Sequence, residues 1–327
     1  MAAFRPLCRL LLAVAAVALG AACHRLPALD HYTSIHMDTV VEVTITGVAE
    51  RRARGLAQEV FALFDQVERE MSSFRDDSTV SAIGHAAPAW VAISPDLAAV
   101  LREALRVAAL SGGGFDPTIG AVTRLWGFGE EGGHRPETQA LQAALATVGY
   151  PHLALEQGRA RLVYPKSGLD LGGIAKGYAV DRAAELLARA GVGGAIVNAG
   201  GDIRVLGHRP DGHPWHIGIQ HPRDPEKLFT TLEVTDTAVV TSGDYERYFI
   251  EDGVRYHHIL DPATGEPARA CQSVTVVTKS AMTGDALATA AFVLGPERGL
   301  ALLQQAGAAA AIFVAADGTV VRFPAEP

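Results

Sequence analysis

The chain has 327 residues and a formal net charge of −8, from 28 lysines and arginines against 36 aspartates and glutamates. Hydrophobic residues make up 49% and charged residues 20%, which supplies a core and excludes a disordered chain. An acidic chain without a dense Lys/Arg tract also excludes a nucleic-acid binder, because a phosphate backbone has to be met by clustered positive charge.

The N-terminal segment reads as an export signal. Arg5 and Arg9 form a short positive region, and Leu10 to Ala22 is an apolar run of 13 residues. That run falls short of the roughly 20 residues a helix needs to cross a bilayer. Residues 1–22 are therefore expected to be a signal peptide. The segment LGAAC resembles a bacterial lipoprotein signal in which Cys23 becomes the lipid-bearing first residue. Ordinary cleavage near Ala22, with Cys23 a bystander, is the alternative. The expected mature protein is an exported, membrane-anchored lipoprotein facing the periplasm, with residues 23–36 as a tether and 37–327 as one domain. With Cys8 in the signal and Cys23 acylated, Cys271 is the lone thiol of the mature body, so no internal disulfide is available. Its position beside the apolar run SVTVV predicts a buried, inert thiol.

From Thr39 to Thr46 the β-branched, alternating TVVEVTIT predicts a strand. Residues 48–72 place Leu56, Val60, Leu63, Phe64 and Val67 at helical spacing. A second helix is expected over 94–110, opened by Ser94-Pro95-Asp96 as cap and first turn. After a glycine-rich turn and a polar loop, a third helix is expected at 137–147. Short strands follow near 153–155 and 161–164, a helix at 178–190, and strands at 195–197, 202–206, 214–220, 229–234, 237–241, 247–250 and 273–278. Two last helices, 283–292 and 296–305, precede a closing hairpin that turns at Asp317-Gly318. Strands in runs and helices in groups predict an α+β fold with mixed or antiparallel sheets.

Five glycine- and aspartate-rich clusters carry the candidate chemistry. They are MSSFRDDS, GGFDPTIGAVTRLWGFG, LDLGGIAKGYAVD, TSGDYERYF joined to YHHILDPATGEP, and GDALATA. In the third, glycines next to a helix N-terminus, with Lys176 adding a full positive charge, suit a phosphate or pyrophosphate. A tight turn capped by a surface lysine reads equally from the same residues. Asp285 and Thr289 stand four apart on a predicted helix, so their oxygens share a face. A carboxylate and a hydroxyl without His or Cys suit a hard cation such as Mg²⁺. A solvated Asp285, with Thr289 bonding back to its own helix, is the alternative. His257 and His258 are adjacent on an extended segment and point to opposite faces, so only one of them can serve a given site. His258, with Asp261 three residues on, reads either as a general base or as a surface histidine paired to that acid.

These segments, in this order and with NAGGDI between them, resemble the signature segments of the ApbE family. The resemblance extends from Met37 to the C-terminal hairpin. It implies an α+β fold of the T-fold-like kind, FAD as substrate and a divalent metal, usually Mg²⁺. The implied reaction moves FMN from FAD onto a Thr or Ser hydroxyl of an acceptor flavoprotein and releases AMP. The implied acceptors are subunits of membrane redox complexes or related exported flavoproteins. By position, Met37, Phe74, Gly114, Phe115, Asp116, Asp170, Lys176 and Ile259 match FAD-contacting residues. The Gly173 carbonyl, Asp285 and Thr289 match the metal site, and His258 matches the motif histidine assigned as base. Two positions depart from the pattern: Phe74 stands where a tyrosine is common, and Ala263 where an arginine or similar polar residue is frequent.

The residues agree with that chemistry. A cation on Asp285 and Thr289, with Lys176 as a second positive centre, suits the charge that develops on phosphate oxygens. Phe74 and Phe115 are expected to wall the flavin or adenine rings, or else to serve core packing. A metal-dependent FAD pyrophosphatase, giving FMN and AMP, would use the same residues. A flavin-binding lipoprotein without chemistry has no need of the metal.

Overall fold

A computed structural model describes residues 29–128 and 133–324. The proposed signal peptide, Cys23 and the start of the tether lie outside the described residues. The chain enters on a hairpin of β1 (Leu29–His36) and β2 (Thr39–Thr46), followed by α1 (Glu50–Met71) and α2 (Thr79–Ala86). The strand β3 (Val91–Ala92) precedes α3 (Pro95–Leu110), α4 (Gly120–Trp126) and α5 (Thr138–Leu145). Strands β4 (Leu153–Glu156) and β5 (Arg159–Leu162) lead to α6 (Ala175–Arg189), then β6 (Gly194–Ala199) and β7 (Asp202–Gly207). The hairpin β8 (Trp215–His221) and β9 (Asp224–Val234) is followed by β10 (Ala238–Gly243) and a second hairpin, β11 (Tyr248–Glu251) and β12 (Val254–His257). The chain closes with β13 (Cys271–Thr278), α7 (Ala281–Gln305), β14 (Ala310–Ala315) and β15 (Val320–Phe323).

An antiparallel sheet in the order β1-β2-β6-β7-β10-β13-β14-β15 forms the frame, which is the expected α+β arrangement. One face is covered by α1, α6 and α7. Their apolar stripes, including Val60 and Phe64 of α1, Leu187 of α6 and Phe292 of α7, join Val43, Val197, Val240 and Val274 of the sheet in the main core. The other face is covered by the β8–β9 hairpin, whose Trp215, Ile217 and Ile219 pack on Val205 and Val239. Burial on both faces explains the consecutive valines Val239-Val240 of β10 and Val276-Val277 of β13. A satellite core of Val122, Trp126, Phe128, Leu141, Tyr256 and Leu260 seats the β11–β12 hairpin on α4. Trp126 Nε1 donates to the Gly265 carbonyl (2.8 Å), so its polar end is satisfied in that core. Cys271 is buried, which pushes its thiol pKa up to about 12 and makes it the inert group expected.

The local signals of α3 hold in detail: Ser94 Oγ accepts from the Leu97 N–H at 3.0 Å, with Pro95 in the first turn. The two expected late helices run on as α7 but are broken at Gly295, whose φ of 79° and ψ of 175° leave the helix just before Pro296. One expectation is corrected. Residues 29–36, assigned to the tether, form β1, an edge strand paired along its length with β2. The connecting turn is Met37-Asp38, with φ of 52° and 56°. Both residues of such a two-residue turn need the left-handed region, and neither is the glycine or asparagine that usually announces it.

Candidate active site

A cleft opens where the C-terminal end of β10, the N-terminal ends of α6 and α7, the 114–120 loop and the segment after β12 converge. Its floor is set by reciprocal capping of two helices. The Gly177 N–H in the first turn of α6 donates to Asp285 Oδ2 of α7 at 3.1 Å. The Ala281 and Met282 N–H groups that open α7 donate to Asp181 Oδ1 and Oδ2 of α6 at 2.9 and 3.0 Å. A carboxylate at a helix N-terminus satisfies otherwise unpaired N–H groups and is favoured by the helix dipole. Gly177 is required for this approach, because a Cβ there would collide with the Ala281 carbonyl.

This packing brings Lys176 beside two buried acids. Its Nζ lies 2.8 Å from Asp202 Oδ2 and 3.7 Å from Asp285 Oδ2, and it donates to the Gly172 carbonyl at 3.2 Å. Asp202 and Asp285 are 1% and 2% exposed. Burial raises both carboxyls; Asp285 is raised further by the charge of Asp202, and Lys176 offsets only part of this. Burial also works against the charge on Lys176, but the two acids outweigh it and hold the ammonium above its ordinary value. Asp202 Oδ2 is buried and pairs with the Lys176 ammonium. Beside this cluster, Thr289 Oγ1 lies 3.4 Å from Ser242 Oγ, and a Cβ on Gly173 would come within 2.8 Å of that Thr289 oxygen.

A buried carboxylate, a hydroxyl and a glycine backbone pressed against that hydroxyl form an all-oxygen donor set. Among the described residues no group of three or more His, Cys, Asp or Glu side chains is arranged to hold a metal ion. The set fits a hard divalent cation that keeps water or phosphate oxygens in its remaining positions, and it does not fit zinc.

His258 faces the same cleft from the opposite wall. Its Nδ1 lies 3.3 Å from the Arg247 carbonyl oxygen, which can only accept, so this bond places the proton on Nδ1 and leaves the lone pair on Nε2. Burial, aided by the charges of Arg247 and Lys176, pushes the His258 pKa down to about 3. Asp261 does not pair with it. That carboxylate accepts from Ala263 N–H at 2.9 Å, and its backbone carbonyl closes the turn to Gly265. His257 points the other way and bonds the Ala268 carbonyl through Nε2 at 2.7 Å.

The residues assigned above to FAD, to the metal and to the base all line this one cleft. Phe74 stands at the mouth, 49% exposed, while Phe115 and Ile259 are buried in its walls. Asp170 Oδ1 accepts from Gly172 N–H at 2.8 Å and shapes the turn before α6. Asp116 has both oxygens engaged by the protein: Oδ1 by Thr118 N–H and Oγ1, Oδ2 by Tyr150 N–H at 2.6 Å. Gly114 is packed against Leu294. Met37 sits on the left-handed turn at the lip, its N–H held by Glu68 Oε2 at 2.7 Å. Lys176 is not a surface lysine and Asp285 is not solvated, so the bland readings of both are set aside. Sequence reasoning did not select Asp202, Glu246 or Arg247. For Asp202 the local signal is weak: an acid directly after Gly200-Gly201, at the start of a strand.

Comparison with known proteins agrees with this geometry. Residues 37–313 match the ApbE family. The chain is 38% identical over 304 residues to the FAD:protein FMN transferase of Vibrio cholerae, covering 90% of each. It is 38% identical over 281 residues to the FAD:protein FMN transferase of Treponema pallidum, covering 80% of this chain and 78% of that one. Its structure resembles the ApbE protein of Thermotoga maritima with a TM-score of 0.84 at 34% identity, covering 90% of this chain and 97% of that one. It also resembles the flavin transferase ApbE of Vibrio cholerae, with a TM-score of 0.80 at 34% identity over 91% and 97% of the two chains. The chain belongs to the ApbE family.

Proposed function

We propose that this protein transfers FMN from FAD to a Thr or Ser hydroxyl of an acceptor flavoprotein, in a Mg²⁺-dependent reaction that releases AMP. The observation that carries the reading is the meeting, in one cleft, of a buried Lys176–Asp202–Asp285 cluster with a neutral His258. The acceptor oxygen bonds to the FMN-side phosphorus while the bond from that phosphorus to the bridging oxygen breaks, and AMP leaves with that oxygen. His258 Nε2 takes the hydroxyl proton. Lys176, fixed by Asp202, meets the negative charge that grows on the phosphate oxygens. Asp285, Thr289 and the Gly173 carbonyl would hold Mg²⁺, which when bound supplies Lewis-acid stabilisation of that charge. Phe115 and Ile259 give the cleft apolar walls for a flat ring, with Phe74 at its mouth; Met37, Gly114, Asp116 and Asp170 shape the rest of the FAD site.

Incubation with FAD, Mg²⁺ and an acceptor is expected to give an acceptor heavier by one FMN moiety in the mass spectrum. Free FMN and AMP beside unmodified protein, across several authentic acceptors, would instead identify a pyrophosphatase.

The acceptors in this reading are exported flavoprotein subunits of membrane redox complexes, and the enzyme meets them from a lipid anchor on Cys23. The apolar run before Cys23 supports this. Cys23→Ser is expected to move the protein from the membrane to the soluble fraction; unchanged fractionation rejects the anchor.

A further inference from the structure

Behind the β11–β12 strand pair, which Arg247 and His258 flank, lies a second hollow, lined by Arg223, Arg255, Arg269, Asp244, His257 and Cys271 among others. In a chain of net charge −8 it inverts the local sign. Three guanidinium groups face a single carboxylate among the lining residues, and buried His257, with its pKa pushed down to about 4, adds no charge. Arg223 forks onto Asp244 with contacts of 2.6 and 2.7 Å. Arg255 reaches the Asp244 carboxylate only through Nη1, at 3.7 Å, and Arg269 donates Nη1 to the Arg255 carbonyl at 2.6 Å. The guanidinium of Arg255 lies over the Tyr248 ring and that of Arg269 over the Tyr256 ring (5.2 Å), but among the described residues their Nε and Nη2 donors meet no acceptor, which leaves an edge of each free for a carboxylate.

The surface around these forks is apolar. The register pairs Tyr248 with His257 and Ile250 with Arg255, which puts all four on the outer face of the β11–β12 hairpin. Tyr248 is 42% and Ile250 61% exposed, and the Arg255 guanidinium lies 3.9 Å from the centre of the Tyr248 ring. The opposite face of the hairpin is occupied, because Phe249 and Tyr256 stack toward Trp126. Alternation along the chain ties this outer face to the cleft. Tyr248 follows Arg247 and His257 precedes His258, so each outer-face residue has a cleft residue as its immediate neighbour in the chain.

Resting on the transfer reading above, we propose that this outer face docks the acceptor polypeptide. A carboxylate side chain of the acceptor enters the forks of Arg255 and Arg269, and a neighbouring apolar residue packs on Tyr248 and Ile250. The acceptor hydroxyl is thereby delivered around the hairpin edge to His258. Charge complementarity selects the partner: an enzyme that is acidic overall repels an acidic segment everywhere except at such a patch.

The test uses the full-length enzyme with Arg255→Gln, Arg269→Gln and the double variant. The expected result is a KM for the acceptor raised by about 10- to 100-fold in the double variant, the range for losing a charge-assisted fork. Unchanged kcat at saturating acceptor and unchanged FAD affinity, read by flavin fluorescence, accompany it. Changing acidic residues beside the acceptor's modified hydroxyl to their amides is expected to reproduce the KM effect without adding to it. Ile250→Glu, at an exposed position, is expected to raise the same KM and keeps the test open if loss of a guanidinium unfolds the hairpin. An unaltered KM in the double variant and in Ile250→Glu, beside a wild type that transfers FMN, rejects the docking face alone. An equal loss of FAD affinity and kcat makes the arginines structural and rejects it too. A wild type that transfers no FMN rejects the transfer reading, and the docking face with it.

Discussion

Asp285→Asn is expected to abolish FMN transfer while making the metal-free protein more stable. The amide keeps an oxygen to accept from Gly177 N–H, so the capping of α6 persists. What disappears is a buried carboxyl whose pKa, pushed up to about 8 by burial and by the charge of Asp202, makes its ionisation costly to the folded state. Asp202 alone then pairs with Lys176 at 2.8 Å, and the repulsion that helps to raise the Asp285 carboxyl is gone. Replacing a buried, imperfectly compensated charge by a neutral isostere is often neutral or stabilising. A gain of about 1 kcal/mol would raise Tm by about 2–4 °C in a chain of this size. Activity moves the other way. Without its carboxylate the cation site loses its one charged ligand, and a loss of about 3 kcal/mol of transition-state stabilisation lowers kcat by at least about 100-fold. Thermal melting in chelator, Mg²⁺ titration by calorimetry and the transfer assay check the three parts. Full activity of the variant in chelator, or a lowered Tm, would refute this account of the floor.

The second large effect concerns His258. His258→Gln is expected to lower transfer by about 10²- to 10⁴-fold, the usual worth of a positioned general base, with FAD affinity unchanged. Because burial and neighbouring cations hold the imidazole pKa near 3, the wild-type rate is expected to show no inflection near pH 6.5 from this group. Stability follows the same shift. The folded pKa lies below the unfolded value of about 6.5, so between these values the unfolded chain binds the proton that the folded chain refuses. The full stability of the neutral ring is present above about pH 6.5 and drains away as pH falls toward about 3. The variant is therefore expected to lose less stability than wild type over that interval. A rate inflection near 6.5 that vanishes in His258→Gln would overturn the assignment of a half-buried, neutral base.

Much of this was legible because local chemistry and tertiary packing agree. Ser94-Pro95-Asp96 opens α3, Gly295-Pro296 breaks the last helix, and the Asp317-Gly318 turn joins β14 to β15, each for a reason internal to a few residues. What escaped was set by distant contacts or weak local signals. Nothing at Met37-Asp38 announces a left-handed turn, and β1 is held by its pairing with β2. α2 carries β-branched residues and a glycine, and forms because Val80 and Ile83 reach the core. β12 was a missed signal of the ordinary kind: Asp252-Gly253, with φ of 50° and 77°, is the favoured two-residue hairpin turn.

The site was legible for a different reason. Its clusters carry glycines, acids and cations in turns where few structural demands exist, so their chemistry stands out. Asp202 was hidden because its meaning lies in Lys176, which arrives from the other side of a helix and a strand. The basic hollow behind the hairpin was hidden likewise, since Arg223, Arg255 and Arg269 are scattered and converge only when the strands pair.

The mutual capping of α6 and α7 has a consequence for motion. The amides of Gly177, Ala281 and Met282 are shielded by carboxylates borne on the opposite helix, so neither end can fray by itself. Deuterium reaches these amides only when the two helices part, at a free-energy cost close to that of unfolding the whole molecule. Substrate entry therefore falls to the lip around Met37 and Phe74, while the floor beneath stays rigid from one turnover to the next.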